Sequence, residues 1–103
     1  MGKIKVWISE PGKNPRHTWI SNTLKNLQKI VEGYIEHYAL SPDLGIICNE
    51  EGMFKDCKYN CTIDNQQFFG TLIFVGHNGE EFADCPLEVE ELEEQFPQLW
   101  RNK

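Results

Sequence analysis

Long apolar runs, catalytic signatures, internal repeats and basic residues toward the C-terminus are scarce or missing in this 103-residue sequence, and each absence narrows what the chain can be. No stretch approaches the ~18 to 20 apolar residues that a membrane span needs. The opening MGKIKVWISEPG has neither the apolar core nor the small-residue cleavage site of a secretory signal, so a soluble, cytoplasmic protein is expected. Walker, G-x-G-x-x-G, G-x-S-x-G, H-E-x-x-H and EF-hand patterns are all missing, and the chain is read as non-enzymatic and without a cofactor. Repeats, low-complexity tracts and linkers are missing too. Residues 1–103 are therefore expected to form a single domain around one hydrophobic core. Lys and Arg total 10 against 16 Asp and Glu, a net charge of -6 that disfavours direct binding to a nucleic-acid backbone.

The four cysteines, Cys48, Cys57, Cys61 and Cys85, are separated by eight, three and twenty-three residues. That spacing matches neither a paired zinc site nor a redox C-x-x-C motif, so they are read as reduced, partly buried thiols and no metal site is expected. His17, His37 and His77 are scattered with no acid at a suggestive spacing, and each is expected to be an ordinary strand or surface residue. Glu50-Glu51 reads as a solvated turn rather than a general base.

What is present describes a folded α+β chain. Ile4, Val6 and Ile8 alternate with Lys3, Lys5 and Trp7, which predicts a half-buried first strand. Glu10 to Pro15 turns, and Arg16 to Ile20 returns as a hairpin partner. Ser21 or Asn22 is positioned to cap a helix whose Leu24, Leu27, Ile30 and Val31 share one face, with Gly33 as its terminator. Tyr34 to Leu40, a turn at Ser41-Pro42-Asp43, and Leu44 to Cys48 make a strand-turn-strand unit, followed by an irregular stretch from Met53 to Ile63. Phe68 to Gly76 reads as one central strand, and Asn78-Gly79 turns into a short strand at Glu81 to Ala83. A second helix begins near Pro86, buries Val89, Leu92 and Phe96, and stops at Pro97. The expected architecture is a mostly antiparallel sheet of about five strands packed against one helix, with a second, acidic C-terminal helix.

The charge is concentrated in that last segment. Residues 1–79 hold eight acids and eight bases, residues 80–100 hold eight acids and no base, and Arg101 with Lys103 bring the net to -6. The expected organisation is a neutral body, 1–79, carrying an acidic helical tail, 80–103, packed on it. Glu88, Glu90, Glu91, Glu93 and Glu94 are the candidate partner-binding residues, as an acidic surface that docks on a basic partner. The alternative site draws on the aromatics and the Pro-Gly-Lys-Asn-Pro-Arg loop: Lys13 and Arg16 for a phosphate, Trp19 or Trp7 as a stacking plane, and Asn49, Asn60 and Thr71 as pocket polar groups.

Several motifs in order resemble a known family. An N-terminal strand, Pro11-Gly12-Lys13-x-Pro15, Leu24-x-x-Leu27-Gln28-x-x-Val31-x-Gly33-Tyr34-Ile35-Glu36, Ile47-Cys48-Asn49-Glu50-Glu51-Gly52, Asn60, and Phe69-Gly70-Thr71 leading to Phe74-Val75-Gly76 are similar to domain of unknown function 3846. The resemblance covers Ile4 to Gly76 and leaves out the glutamate-rich segment. It implies a small protein in the cytoplasm of a Gram-positive bacterial host, carried by a phage, plasmid or conjugative element, and it implies no catalytic residue. Such a setting suggests a counter-defence protein that inhibits a host immunity component, such as a CRISPR nuclease, by stoichiometric binding. The alternative is a sponge that sequesters a nucleotide-derived immune signal in the aromatic pocket, as an oligomer.

Overall fold

The computed structural model describes residues 2–101; Met1, Asn102 and Lys103, at the ends of the expected domain, lie outside the described residues. Strands β1 (Lys3–Ser9) and β2 (Arg16–Ser21) form the first antiparallel hairpin, with Ile4 opposite Ile20 and Ile8 opposite Arg16. Helix α1 (Leu24–Val31) follows. Its cap is Thr23, whose side chain accepts from the Asn26 amide at 3.2 Å, rather than Ser21 or Asn22. Ser21 still belongs to β2, and Asn22 Nδ2 donates to the Phe82 carbonyl. The left-handed residue that closes α1 is Glu32, at φ 64, not Gly33. Gly33 is needed for clearance, since a Cβ there would stand 2.5 Å from Asn49 Nδ2.

Strands β3 (Ile35–Ser41) and β4 (Leu44–Asn49) make the second hairpin, with a register shift between Ala39 and Ser41. The stretch expected to be irregular ends in β5 (Tyr59–Ile63), which pairs with β6 (Gln66–Phe69) as a separate two-stranded ribbon. The apolar run from Phe68 to Gly76 is not one strand. Gly70 takes φ +81 and divides it, leaving Phe68 and Phe69 in β6 and starting β7 (Leu72–Asn78) two residues later. Apolar content alone could not reveal that break, because the residues on both sides of Gly70 are buried in the same core.

The main sheet has six strands in the order β2-β1-β7-β4-β3, with β8 (Glu81–Ala83) added beside β7. Every pairing is antiparallel. The fold is thus α+β with a mostly antiparallel sheet and two helices, as the element pattern implies. Both faces of the sheet are covered. On one, Leu27 and Val31 of α1 pack on Val6, Ile8, Ile47, Ile73 and Val75. On the other, the β5–β6 ribbon and the segment after β8 pack on Trp7, Ile46 and Phe74.

That second layer changes the status of Trp7. Alternation placed it off the apolar face as a candidate for a pocket, yet it is only 5% exposed, and its Nε1 donates to the Leu87 carbonyl at 3.0 Å. Helix α2 (Val89–Gln95) and the 3-10 turn Pro97–Leu99 complete this layer. The helix starts at its cap, Glu88, rather than at Pro86. Leu92, Phe96 and Leu99 are buried, whereas Val89, expected on the same face, is 39% exposed.

Candidate functional site

The route from β8 into α2 is stitched to β1 by backbone. Lys5 donates its amide to Asp84 Oδ1 at 2.9 Å, and the Cys85 amide donates to the Lys5 carbonyl at 2.7 Å. Gly76 permits this close approach, since a Cβ on it would meet the Asp84 carbonyl oxygen at 2.1 Å. The anchored chain then presents α2 with one side down. Leu92 is fully buried, and Glu88, Glu90, Glu91, Glu93 and Glu94 are all exposed. Two of them build the helix start: the Glu88 amide donates to Glu91 Oε1 at 2.9 Å, and the Glu88 side chain accepts from the Glu91 amide. This capping box satisfies amides that the first turn leaves orphaned, and acids there also suit the positive end of the helix dipole. Among the described residues the ion pairs are Lys13–Glu10, Arg16–Glu10 and Lys55–Glu51, so no base neutralises the five glutamates of α2.

The six residues of the alternative site do not form one pocket, although Lys13 and Arg16 both pair with Glu10. Lys13 and Thr71 line one shallow groove, of about 330 Å³, together with Pro11, Cys57 and Lys58. Arg16 pairs in register with Ile8 and Trp19 with Lys5, so the two project from opposite faces of β2. Trp19 is 56% exposed. Asn49 and Asn60 are buried and engaged. Asn49 Nδ2 donates to the Val31 and Glu32 carbonyls at 3.1 and 3.2 Å while its Oδ1 accepts from the Glu51 amide at 2.7 Å, which closes the end of α1. Asn60 Nδ2 donates to the Ser9 and Gly70 carbonyls at 3.0 and 2.9 Å. Its Oδ1 accepts from Arg101 Nη2 at 2.7 Å and from Ser9 Oγ at 3.3 Å. These amides hold the frame together and offer no free polar group to a pocket.

Arg101 was not singled out by sequence. Its guanidinium donates to the carbonyls of Glu10, Lys13, Asn60 and Gln98, and its amide donates to Asn14 Oδ1 at 2.7 Å. It therefore ties the first hairpin loop to β5 and to the 3-10 turn.

Burial pushes the thiols of Cys48 and Cys61 up to about 11 and that of Cys85 upward as well, which keeps all three protonated at neutral pH and poor as nucleophiles. His17 lies flat on Trp7, with ring centroids 4.2 Å apart and an interplanar angle of 6°. Burial, and then the Lys5 charge, hold its pKa below the ordinary value, with Glu88 acting in the opposite direction. His37 and His77, expected to be unrelated, meet at 5.1 Å. Forty residues separate them and no local motif marks the pair. Glu51, read as a solvated turn residue, is exposed and 3.7 Å from Lys55.

A family model described as Domain of unknown function (DUF3846) matches residues 4–97. The chain belongs to this family. The DUF3846 match runs beyond Gly76, where the resemblance had ended, and takes in the glutamate-rich segment through Pro97. The acidic stretch is therefore part of the DUF3846 span and not an addition to it. No curated protein and no solved structure matches the chain. Among the described residues, no helix is long and apolar enough to cross a membrane, and no group of three or more His, Cys, Asp or Glu is placed to hold a metal ion.

Proposed function

We propose that this DUF3846 protein is a non-catalytic binder that docks the acidic face of α2 on a basic surface of a partner, inhibiting it by stoichiometric occupation. The observation that carries this reading is the set of five exposed glutamates, Glu88, Glu90, Glu91, Glu93 and Glu94, with no neutralising base among the described residues and with Leu92 and Phe96 anchoring the helix beneath them. Charge left unpaired within a chain, on a support that does not need to be ordered on binding, is available to steer and orient a cationic partner. The target class is a host immunity component, such as a CRISPR nuclease, in a bacterial cytoplasm invaded by the phage or mobile element that encodes the protein.

The test is charge reversal confined to the glutamates outside the capping box. The triple variant Glu90→Lys, Glu93→Lys, Glu94→Lys keeps Glu88 and Glu91 and should fold as the parent does. It should lose the partner in a pull-down from host cytosol, and the parent's capture should weaken steeply as salt rises, because exposed charges are screened over about 8 Å at physiological ionic strength. Capture that survives both the reversal and high salt would sink the reading.

A second reading, sequestration of a nucleotide-derived signal, is favoured by one observation: Lys13 and Thr71 share a groove with a further cation, Lys58, beside the carboxylates of Glu10 and Glu32. Because Arg16 and Trp19 face opposite ways, a pocket using all the expected residues requires more than one copy of the chain. Calorimetry against cyclic and ADP-ribose-type nucleotides decides it. Heat of binding that disappears in Lys13→Ala supports sequestration, and silence across the panel removes it.

A further inference from the structure

The histidine pair lies on the α1 side of the sheet, opposite the face that carries α2. His37 is in register with Ile47, and His77 lies two residues beyond Val75; Ile47 and Val75 both belong to the core under α1. Strand β4 runs between them, and its Gly45 pairs with Ala39 on one side and Val75 on the other. His37 and His77 thus occupy diagonal positions about Gly45, and their rings reach toward each other over the space that a side chain at residue 45 would fill. A Cβ on Gly45 would stand 2.3 Å from His37 Nε2 and 3.3 Å from His77 Cδ2. Over Gly45, His37 thus presents its Nε2–Cδ2 edge and His77 its Cδ2, with the two rings nearly perpendicular.

Two further observations point to a ligand there. His77 Nε2 is shielded from solvent and has no hydrogen-bond partner, which is uncommon for a buried polar atom. The centroid separation of 5.1 Å, at an interplanar angle of 80°, leaves the rings as far apart as a shared ion needs, because two imidazoles on one tetrahedral ion at the usual ~2 Å have centroids about 5 Å apart. Phe82 stands edge-on to His37 at 5.1 Å and limits how far that ring can swing.

We propose that His37 and His77 form a two-histidine binding site for a divalent transition-metal ion of the zinc class, with solvent in its remaining coordination positions. Imidazole is a preferred donor for such ions, and the exposure of His37 leaves the ion a path of entry. The site is independent of the acidic helix and stands or falls apart from the proposed docking.

Untagged, reduced protein titrated with Zn²⁺ in a non-chelating buffer tests it, followed by calorimetry and by imidazole ¹H–¹⁵N spectra. The ring nitrogens of His37 and His77 should shift together while those of His17 stay in place. His37→Ala and His77→Ala should each weaken binding at least about tenfold, the scale on which even supporting groups of a metal site act. Gly45→Ala retains both imidazoles but intrudes where they meet, and should weaken binding as well. His77→Phe, which keeps a ring beside His37, replaces the alanine variant if that variant fails to fold. Failure to bind, shifts confined to cysteine or His17 signals, or wild-type affinity in the histidine variants would overturn the proposal.

Discussion

The two faces of the sheet are built from different chemistry and by different parts of the chain. The α1 face is aliphatic, with Ile4, Val6, Ile8, Ile47, Ile73 and Val75 under Leu27 and Val31. Its cover is an eight-residue helix joined directly to the strand before it. The opposite face is aromatic and sulfur-rich, with Trp7, Phe68, Phe74 and Phe96 beside Cys48, Cys61 and Cys85. Its cover is assembled from the β5–β6 ribbon, α2 and the 3-10 turn, and is fastened by polar ties: Trp7 to Leu87, Asn60 to Ser9 and Gly70, and Arg101 to four carbonyls. A face closed by one local amphipathic helix needs few directional bonds beyond those by which Asn49 holds the end of α1. A face closed by remote, irregular segments needs directional bonds, because hydrophobic contact does not by itself specify where a loop sits.

Deleting bulk on each face tests that contrast most strongly. Phe74→Ala, at a fully buried ring that packs on Phe96, should cost about 3 to 5 kcal/mol, whereas Ile73→Val on the neighbouring, α1-facing residue should cost about 0.5 to 1.5 kcal/mol. Urea unfolding at constant m-value measures both, and equal losses would erase the distinction drawn between a ring-filled and an aliphatic layer. Next in size is Arg101→Ala, which should remove about 2 kcal/mol, the scale of hydrogen bonds made by a charged donor. Hydrogen exchange should then rise at Asn60 and around Glu10 to Lys13 while the α1 face stays protected. Protection lost evenly on both sides would show that the clamp does not belong to one layer.

The smallest expected effect is that of pH. His17 on the aromatic side and His37 on the aliphatic side both have folded-state pKa values below 6.5, each chiefly through partial desolvation of the ring, with Lys5 and His77 respectively adding to it. The unfolded chain therefore takes up protons first, and stability present above pH 6.5 is lost as pH falls through that value toward the lower folded ones. The thermal midpoint should drop between about pH 7 and pH 5. His17→Phe and His37→Phe should each flatten part of that slope, and a slope unchanged in both would place its cause elsewhere.

The same division explains what could be read from sequence. The aliphatic face was legible: Ile4, Val6 and Ile8 announce β1, and Leu27 with Val31 announces the buried side of α1. The β3–β4 hairpin and the turn into β8 were legible too, from alternation and from Asn78-Gly79. The aromatic face was read poorly because its residues obey no single period. Trp7 looked exposed since nothing local reveals the layer that covers it. Tyr59 to Ile63 looked irregular since its partner is a four-residue strand joined to it through Asp64 and Asn65, both at positive φ. At the sites, the glutamates of α2 could be named from their run alone. Asn49 and Asn60 are read from sequence as polar groups of a ligand pocket, whereas both amides bond to the chain itself, and a sequence cannot tell whether such an amide faces a ligand or a carbonyl of its own chain. The meeting of His37 with His77 depends on the registers of three strands, which no spacing along the chain encodes.

The strand order has a kinetic consequence. Strands β1 with β2, and β3 with β4, are hairpins that close within a few residues of chain, yet the sheet becomes continuous only when β7, from residues 72–78, inserts between β1 and β4. Until then each hairpin holds out an unpaired inner edge, the kind of edge that recruits foreign strands. Closing the long loops that deliver β7 is the slow, entropically opposed event in a topology of this kind. The rate of folding, and the time during which the chain can aggregate, are accordingly set at β7, so substitutions such as Ile73→Val should slow refolding more than they hasten unfolding.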